Sequence, residues 1–432
     1  MDRDFADDLF LGRLSRRTFL ERLSGAGAGL SVLAGAFPAE VAECQEKPRR
    51  PDDDDEVRYS PENIGGGGRI ERNFYREWLK KSKVPRVDVF NVRDARTQEV
   101  QPWPEIGGRG LYVNFTGNVH MDTVLVEIPE GRALPPRRHA YEQLIHVLSG
   151  RGHTEVGEGS GRPSVAWAEG SLFTVPLNAS HRHVNDDPAH PARLMLVTTF
   201  PFMMQVFGSL GMVEDLQHDF AERFSGQPDY YAKAEQSHKR WWRLNVVKDI
   251  RSADVIPWEE RGKGNASVFW DMGGNTILEP HVSQFPVNTY KLGHRHPYEA
   301  IILTLNGKGF SLAARDGLAE RNQPVKIAWQ AGSIVSPPYF WYHQHFNTGD
   351  TRARYWAITE GDFPKRLGIP LEVEQIEADR EDPSVRRLFE TELGRSRASD
   401  AQPNPGLHHE RMHARGVPHT HHPERRGHGD GE

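Results

Sequence analysis

The sequence contains the same irregular pattern of residues twice, and this internal repeat constrains the fold more than any other feature. Residues 137–142 are RRHAYE in the first copy, and residues 294–299 are HRHPYE in the second. Each copy then leads through a glycine and a proline to a His-x-His-x-Asn stretch, at residues 181–185 and 343–347. The matching spacing of these residues in both copies indicates two copies of one structural unit. A chain of 432 residues has room for two such domains.

The composition excludes several other classes of protein. A net charge of −6 and a pI near 6.4 give no basis for a nucleic-acid partner. The 41 glycines, 30 prolines and mean hydropathy of −0.66 are typical of a soluble, loop-rich β protein. Cys44 is the only cysteine, so the chain can form neither an internal disulfide nor a cysteine-based zinc site.

Two long regions of the sequence predict antiparallel strands. Short runs of β-branched and aromatic residues, separated by glycine, proline and aspartate, extend over residues 87–199 and 266–359. Residues 121–128 and 144–148 are the clearest of these predicted strands.

Three other segments carry helical signals. Residues 73–81 predict a helix ahead of the first β region. Residues 382–394 begin with an aspartate cap and a proline and end with glycine, which predicts a late helix. Between the β regions, apolar residues spaced by three and four predict a packing helix, and these residues are Val213, Leu216, Phe220 and Phe224.

The second copy of the repeat offers three histidines in a pattern typical of a metal site. Alternate residues of a strand face the same side, so His294 and His296 project together, and His343 from a later strand can complete a face of three nitrogens. Imidazole binds Fe(II), Mn(II), Cu, Ni or Zn, and three protein ligands leave coordination positions open for substrate and oxygen. Core histidines that hold no metal are the alternative explanation.

The first copy differs at the same place, because Arg137 replaces the first histidine. His139, Gln143 and His181 remain, and they form a weaker candidate for a second metal site. A guanidinium beside a divalent cation is electrostatically unfavourable, so this copy is predicted to be structural or to form an anion pocket. A simple ion pair between Arg137 and Glu142 is a further alternative.

The spacing of these residues resembles the two motifs of the cupin superfamily, G-x5-H-x-H-x(3,4)-E-x6-G and G-x5-P-x-G-x2-H-x3-N. Gly131 stands six residues before Arg137, and Gly332 stands six before Pro338. The resemblance covers about half of the chain and occurs twice. It implies a mainly β protein with two cupin barrels (double-stranded β-helices, or jelly rolls), a helical connector and a helical C-terminal extension.

The resemblance and the segments around it imply six regions. They are a signal peptide at 1–36, a linker and N-terminal arm at 37–84, a first cupin with a degenerate site at 85–200, a helical connector at 201–264, a second cupin with the metal site at 265–362, and a helical extension with a disordered, His-rich tail at 363–432. The tail, from Leu407 onward, holds seven of the 21 histidines.

The second copy lacks the glutamate of the cupin motif, because that position falls on Ala300. Glu299 is one residue out of phase, so in a regular strand it would point away from the metal, and a bulge that brings it back is the alternative. A three-histidine set without this glutamate resembles gentisate 1,2-dioxygenase-type enzymes, bicupins in which usually only one half is active. The resemblance implies that Fe(II), or else Mn(II) or another transition metal, is held by His294, His296 and His343.

The aromatic stretch at residues 338–345 is also similar to that enzyme family. The likeness implies that Trp341 and Tyr339 line a pocket for a small-molecule substrate, and ordinary barrel packing of Trp341 and Tyr342 is the alternative. The residues that it implies for positioning or deprotonating the substrate, and hence for catalysis, are His345, Glu299 and Tyr298.

The N-terminus contains a pair of arginines ahead of an apolar run. Residues 15–20 are SRRTFL, and they precede a weakly apolar, glycine-rich run at 23–37 and a small-x-small cleavage site at 34–36. This arrangement resembles a twin-arginine export signal. The resemblance implies the twin-arginine export machinery as a partner and a periplasmic or extracellular location.

Together these features predict an exported metal-dependent cupin oxidoreductase, a non-haem Fe(II) dioxygenase-like enzyme acting on a small phenolic or related organic substrate. The first alternative is a non-catalytic extracytoplasmic protein that binds ligands or handles metal, which the His-rich tail favours. The second is chemistry of the oxalate decarboxylase, oxalate oxidase or isomerase type. No nucleic-acid partner is expected, and assembly into a homo-oligomer stays open.

Overall fold

Short strands with alternating apolar residues build two β-barrels, each formed by two facing sheets. The computed structural model describes residues 73–115, 117–258, 264–370, 372–394 and 402–403. These residues all belong to one unit that spans Val57–Glu432. The predicted signal peptide and the His-rich tail lie outside the described residues, as does the predicted linker up to residue 72.

Strands make up most of the described chain. In chain order they are β1 (Arg86–Val89), β2 (Asn91–Val92), β3 (Gln101–Trp103), β4 (Gly108–Phe115), β5 (Asp122–Ile128), β6 (Gln143–Ser149), β7 (Arg151–Val156), β8 (Ser164–Ala168), β9 (Leu172–Thr174), β10 (His181–Asn185), β11 (Ala192–Thr198), β12 (Ala234–His238), β13 (Trp241–Leu244), β14 (Val246–Val247), β15 (Ile256–Pro257), β16 (Ala266–Asp271), β17 (Glu279–Phe285), β18 (Thr289–Tyr290), β19 (His294–Arg295), β20 (Ala300–Asn306), β21 (Lys308–Ala314), β22 (Val325–Gln330), β23 (Ile334–Val335), β24 (Tyr342–Asn347), β25 (Ala353–Thr359), β26 (Glu374–Gln375) and β27 (Gln402–Pro403).

The helices of the described residues are short, and none is long and apolar enough to cross a membrane. They are α1 (Phe74–Lys81), α2 (Phe200–Phe207), α3 (Leu210–Glu214), α4 (Phe363–Arg366) and α5 (Pro383–Glu392), with 3-10 turns at Pro104–Ile106 and Glu320–Asn322. The helices predicted at 73–81 and 382–394 are confirmed as α1 and α5. Each begins as its sequence indicates, because the side chains of Asn73 and Asp382 accept hydrogen bonds from backbone N–H groups of the first turn.

The packing helix predicted between the β regions is wrong beyond Glu214, where α3 ends. The amide of Asn178 donates hydrogen bonds to the carbonyl oxygens of Leu216 and His218, at 2.8 and 2.6 Å. The carbonyl of Leu216 also accepts the N–H of His218, and the carbonyl of Phe220 accepts that of Arg223, so the backbone forms isolated turns here. Of the four apolar residues, Val213 is buried and the other three are only partly buried, which turns can achieve as well as a helix.

The first barrel has a large sheet with the strand order β1-β4-β5-β11-β6-β9-β14, in which β3 also pairs with β4. A smaller sheet, β10-β7-β8, faces it. Ile128 and Leu194 from the large sheet pack with Val156 and Trp167 from the small one in a shared apolar core. This packing of two inner faces closes the barrel.

The second barrel repeats this topology. Its strands β16-β17-β25-β20-β23 follow the order of β4-β5-β11-β6-β9, and β24-β21-β22 follow that of β10-β7-β8. The predicted fold class, mainly β with two cupin-type barrels, is therefore confirmed. Within the predicted helical connector, α2 and α3 are followed by strands β12 to β15.

The two barrels exchange short strands. The strand that precedes one barrel in the sequence pairs with the sheet of the other barrel. Strand β2, which comes before most of the first barrel, pairs with β23 of the second, and β14 pairs with β9 of the first. An arginine follows each exchanged strand. Arg96 donates to the carbonyl of Ala331 at 2.7 Å, and Arg251 donates to that of Glu169 at 2.9 Å. The exchange therefore ties the barrels together through backbone hydrogen bonds.

A large apolar core lies between the barrels and draws residues from both, among them Leu144 and Ile301. His146 is buried beside this core, with its ring 5.5 Å from that of Trp356. Its Nδ1 donates to the carbonyl of Ser171 at 3.1 Å. Burial lowers the pKa of His146 to about 4, so the ring is neutral near pH 7.

Replacing His146 with leucine, the residue at the equivalent position 303, should make the protein less sensitive to acid. The folded-state pKa lies below the ordinary value of 6.5, so the stability linked to this ring is present above pH 6.5 and is lost as pH falls towards 4. A shift of this size corresponds to about 3 kcal/mol. Urea denaturation of both proteins at several pH values measures the effect. Parallel pH profiles would contradict the prediction.

Candidate metal centre

Three histidines of the second barrel converge on one point. His294 in β19 lies directly opposite His343 in β24, and His296 follows two residues later. Potential ligand atoms of the three side chains all lie within 4.8 Å of one another. Among the described residues, no other group of three or more His, Cys, Asp or Glu side chains is arranged so that it could hold a metal ion.

Backbone carbonyls fix the tautomer of all three rings. The Nδ1 atoms of His294, His296 and His343 lie 3.1, 2.7 and 3.0 Å from the carbonyl oxygens of residues 292, 298 and 341. A carbonyl only accepts, so each Nδ1 carries the proton and each Nε2 carries the lone pair. Such a support is typical of metal-binding histidines, because it orients the ring and raises its basicity.

Burial also suits His343 to a ligand role. The side chain is 3% exposed, and burial lowers its pKa to about 4. A histidine must be neutral to bind a metal, so this ring is ready at neutral pH without losing a proton. The residues present therefore fit a divalent transition metal with three imidazole ligands.

His345 lies next to this group on the same strand. Its ring centroid is 5.6 Å from that of His343, and its Nδ1 is 2.7 Å from the hydroxyl oxygen of Ser311. Burial lowers the pKa of His345 well below the ordinary value. A small cavity beside it is lined by residues that include Arg354 and Tyr355. The predicted role of His345 towards a substrate stays a prediction.

Two of the aromatic residues singled out in the sequence support the histidines. The ring of Tyr298 stacks on that of His296, with centroids 3.9 Å apart, and its carbonyl accepts the Nδ1 proton of the same histidine. The carbonyl of Trp341 supports His343 in the same way. Tyr339 lies in the same loop as Trp341, and its ring meets that of His120 edge to face at 5.8 Å.

The contacts of Glu299 do not support the catalytic role predicted for it. Its carboxylate accepts hydrogen bonds from the backbone N–H groups of Val119, His120 and Met121, at 2.5, 3.0 and 2.9 Å. These residues belong to the first barrel, so Glu299 binds across the interface between the barrels. The physical reason is that the chain bends at Pro297 and Tyr298, between His296 and strand β20, so that Glu299 enters the interface between the barrels and not the space among the three histidines. Burial raises the pKa of Glu299 to about 7.

Glu142 makes the equivalent contacts in the opposite direction. Its carboxylate accepts from the backbone N–H groups of Thr276, Ile277 and Leu278, at 2.6, 2.9 and 3.0 Å. The predicted ion pair between Glu142 and Arg137 is therefore wrong. We call Glu142 and Glu299 the interbarrel glutamates.

The C-terminal extension holds the strand that carries His294, the first of the three histidines. Strand β26 pairs with β19, which places Gln375 opposite His294. Glu374 accepts two hydrogen bonds of 2.7 Å from Arg295 and one of 2.8 Å from the hydroxyl of Tyr342. Sequence reasoning missed this cluster, because Glu374 lies in a segment without motif or periodicity.

The first barrel presents two histidines in the same manner but not a third. Arg137 forms a bridge with His181, as His294 does with His343. The Nδ1 atoms of His139 and His181 lie 2.9 and 3.0 Å from backbone carbonyls, and Nε2 of His139 is 3.3 Å from Gln143. The second site at His139, Gln143 and His181 stays a prediction.

Comparison with known proteins finds a cupin domain in the first barrel. Residues 124–198 match the family model described as "Cupin domain", in agreement with the motif spacing. No curated protein matches the chain. Among solved structures, the chain is similar to salicylate 1,2-dioxygenase from Pseudaminobacter salicylatoxidans, with 12% identity, 59% of this chain and 75% of that chain covered, and a TM-score of 0.43. It is also similar to a mutant oxalate decarboxylase of Bacillus subtilis, with 13% identity, coverage of 69% and 86%, and a TM-score of 0.42.

Proposed function

We propose that the second barrel holds one divalent transition metal, most consistently Fe(II), and that the protein is an exported, dioxygenase-like oxidoreductase. The observation that supports this most strongly is the convergence of His294, His296 and His343 within 4.8 Å, each supported through Nδ1. The twin-arginine motif at residues 15–20 supports the export.

The absence of charge on the three ligands favours a negatively charged substrate. The three histidines are neutral ligands, and the position of the usual cupin glutamate is Ala300. The charge of a dication would thus not be offset by these ligands, and a substrate that binds through two oxygens with a negative charge would offset it. Phenolates with a neighbouring hydroxyl or carboxylate, and enolised diketones, have this chemistry.

A divalent metal in this position would supply Lewis-acid and redox chemistry towards substrate and O2. The contribution of the chain is to hold the three Nε2 lone pairs in place and to keep the site buried. His345, fixed by Ser311 at 2.7 Å, is the nearest further imidazole on β24 and is proposed to bind a substrate hydroxyl. Trp341 and Tyr339, in the loop before β24, are proposed to contact a planar substrate.

The test combines metal analysis with oxygen consumption. The full chain, loaded with Fe(II), is assayed with an oxygen electrode against gentisate, salicylate, catechol and a 1,3-diketone. We expect saturable O2 uptake with at least one of them. His345→Ala should keep the metal and lower kcat at least about tenfold, the usual contribution of a positioned acid–base group being 10²–10⁴. CO2 release from oxalate without O2 uptake would favour the decarboxylase alternative. Binding of these compounds without turnover would favour a non-catalytic protein.

A further inference from the structure

The interior of the first barrel contains a cavity of about 90 Å³ that the metal centre does not use. Helices α1, α2 and α3 contribute Trp78, Phe200 and Glu214 to its wall. The barrel strands and their loops contribute Arg137, together with His139, His181 and Asp122. The cavity thus combines apolar walls with a few polar groups, as ligand pockets usually do.

One corner of this cavity already binds a carboxylate, the one that belongs to Glu214. Arg137 donates to Oε2 of Glu214 at 2.7 Å, and the hydroxyl of Tyr141 donates to Oε1 at 3.2 Å. A guanidinium and a phenol that together hold both oxygens form a recognition site for a carboxylate group. Glu214 is the last residue of the short helix α3 and is about one quarter exposed, so it lies at the rim.

The other polar groups of the cavity have hydrogen-bond partners within the protein. Nδ1 of His139 and Nδ1 of His181 each lie at hydrogen-bond distance from a backbone carbonyl, at 2.9 and 3.0 Å. Asp122 accepts hydrogen bonds from Thr198 at 2.5 Å and from the hydroxyl of Tyr112, and burial raises its pKa to about 7. Arg182 also lines the cavity, but its guanidinium is paired with Glu155, so Arg137, whose partner Glu214 is itself part of the cavity wall, is the cation best placed to select a ligand.

We propose that the first barrel binds a small organic carboxylate, which replaces Glu214 on Arg137. The guanidinium of Arg137 is the cationic anchor for this ligand, a role that a metal ion would have in the second barrel. In the fold, Arg137 occupies the position equivalent to His294. A cavity of about 90 Å³ is small, which suits acids of two or three carbon atoms such as acetate, pyruvate or lactate. This proposal does not depend on the function proposed for the second barrel.

The experiment is a titration of the full chain with pyruvate, acetate and lactate, with acetamide as the uncharged control. Isothermal calorimetry gives the affinity, and tryptophan fluorescence is expected to respond, because Trp78 and Trp103 line the cavity. Glu214→Gln removes the competing charge and should strengthen binding at least fivefold. Arg137→Gln should weaken it at least tenfold. His343→Ala should leave it unchanged, because that residue lies in the other barrel.

Three results would overturn the proposal. They are binding of acetamide as tight as that of acetate, binding that is insensitive to Arg137→Gln, and binding that is lost in His343→Ala. A second variant guards against simple misfolding. Arg137→His should abolish carboxylate binding and raise the bound metal by up to one ion per chain relative to the native protein, since it restores a third histidine beside His139 and His181. If this variant still binds pyruvate like the native protein, the anchor has been wrongly assigned.

Discussion

Replacing Glu299 with alanine is expected to lower the free energy of unfolding by about 3–5 kcal/mol. The carboxylate is fully buried and accepts backbone hydrogen bonds from Val119, His120 and Met121. Without it, three backbone N–H groups of the first barrel lose their acceptor, one of them buried and two partly buried, and a buried unsatisfied group costs about 1–3 kcal/mol. A smaller side chain also leaves a void at the interface between the barrels.

The charges around Glu299 add to this effect. Glu360 accepts the backbone N–H of Glu299 at 2.7 Å and forms an ion pair of 2.9 Å with His120. Burial lowers the pKa of His120, but the two glutamates outweigh burial and raise it to about 9. The cation is thus retained at neutral pH, and removing Glu299 removes one of its two counter-charges.

Chemical denaturation, followed by both fluorescence and circular dichroism, measures the loss. Glu142→Ala in the first barrel is the matched variant and should have a similar effect, because Glu142 binds the N–H groups of residues 276–278 in the same way. Glu130→Ala, at an exposed position, is the control and should change stability by less than about 0.5 kcal/mol. If Glu299→Ala were as mild as the control, these contacts would not hold the barrels together.

The histidine pattern could be predicted from the sequence because strand alternation and motif spacing are local properties. His294 and His296 share a face by alternation, and the spacing to His343 matches the repeat. Alternation also indicated that Glu299 points away from the metal. It could not indicate the partner of Glu299, because that partner depends on how the two barrels dock.

The strand exchange was beyond sequence reasoning for a similar reason. Strands β2 and β14 are two residues long, too short for a period of two to be recognised. Their pairing depends on long-range backbone contacts. The partner of Arg137 was missed as well, since Glu214 lies 77 residues further along the chain and carries no motif. Local patterns thus gave the ligands of the candidate site, whereas the contacts that support them come from segments distant in sequence.

Replacing His343 with alanine is expected to reduce the bound metal from about one ion per chain to less than about a tenth. The variant loses the ligand that lies opposite His294 and that burial keeps neutral. Loss of an outer partner of a metal ligand already costs about 10–100-fold in affinity, and loss of a ligand itself should cost at least as much. The stabilisation of the folded state by metal should disappear too, about 2.7 kcal/mol at a concentration one hundred times the Kd.

Elemental analysis and thermal denaturation with and without added Fe(II) measure both effects. His181→Ala, the equivalent change in the first barrel, is the matched control and should keep the metal. A chain shortened at residue 404 separates the barrel site from the His-rich tail, and it should keep the metal as well. Metal that stays in a variant with alanine at 294, 296 and 343, or metal that leaves with the tail, would place the binding outside the second barrel. The convergence of three neutral imidazoles would then have to be explained by packing alone.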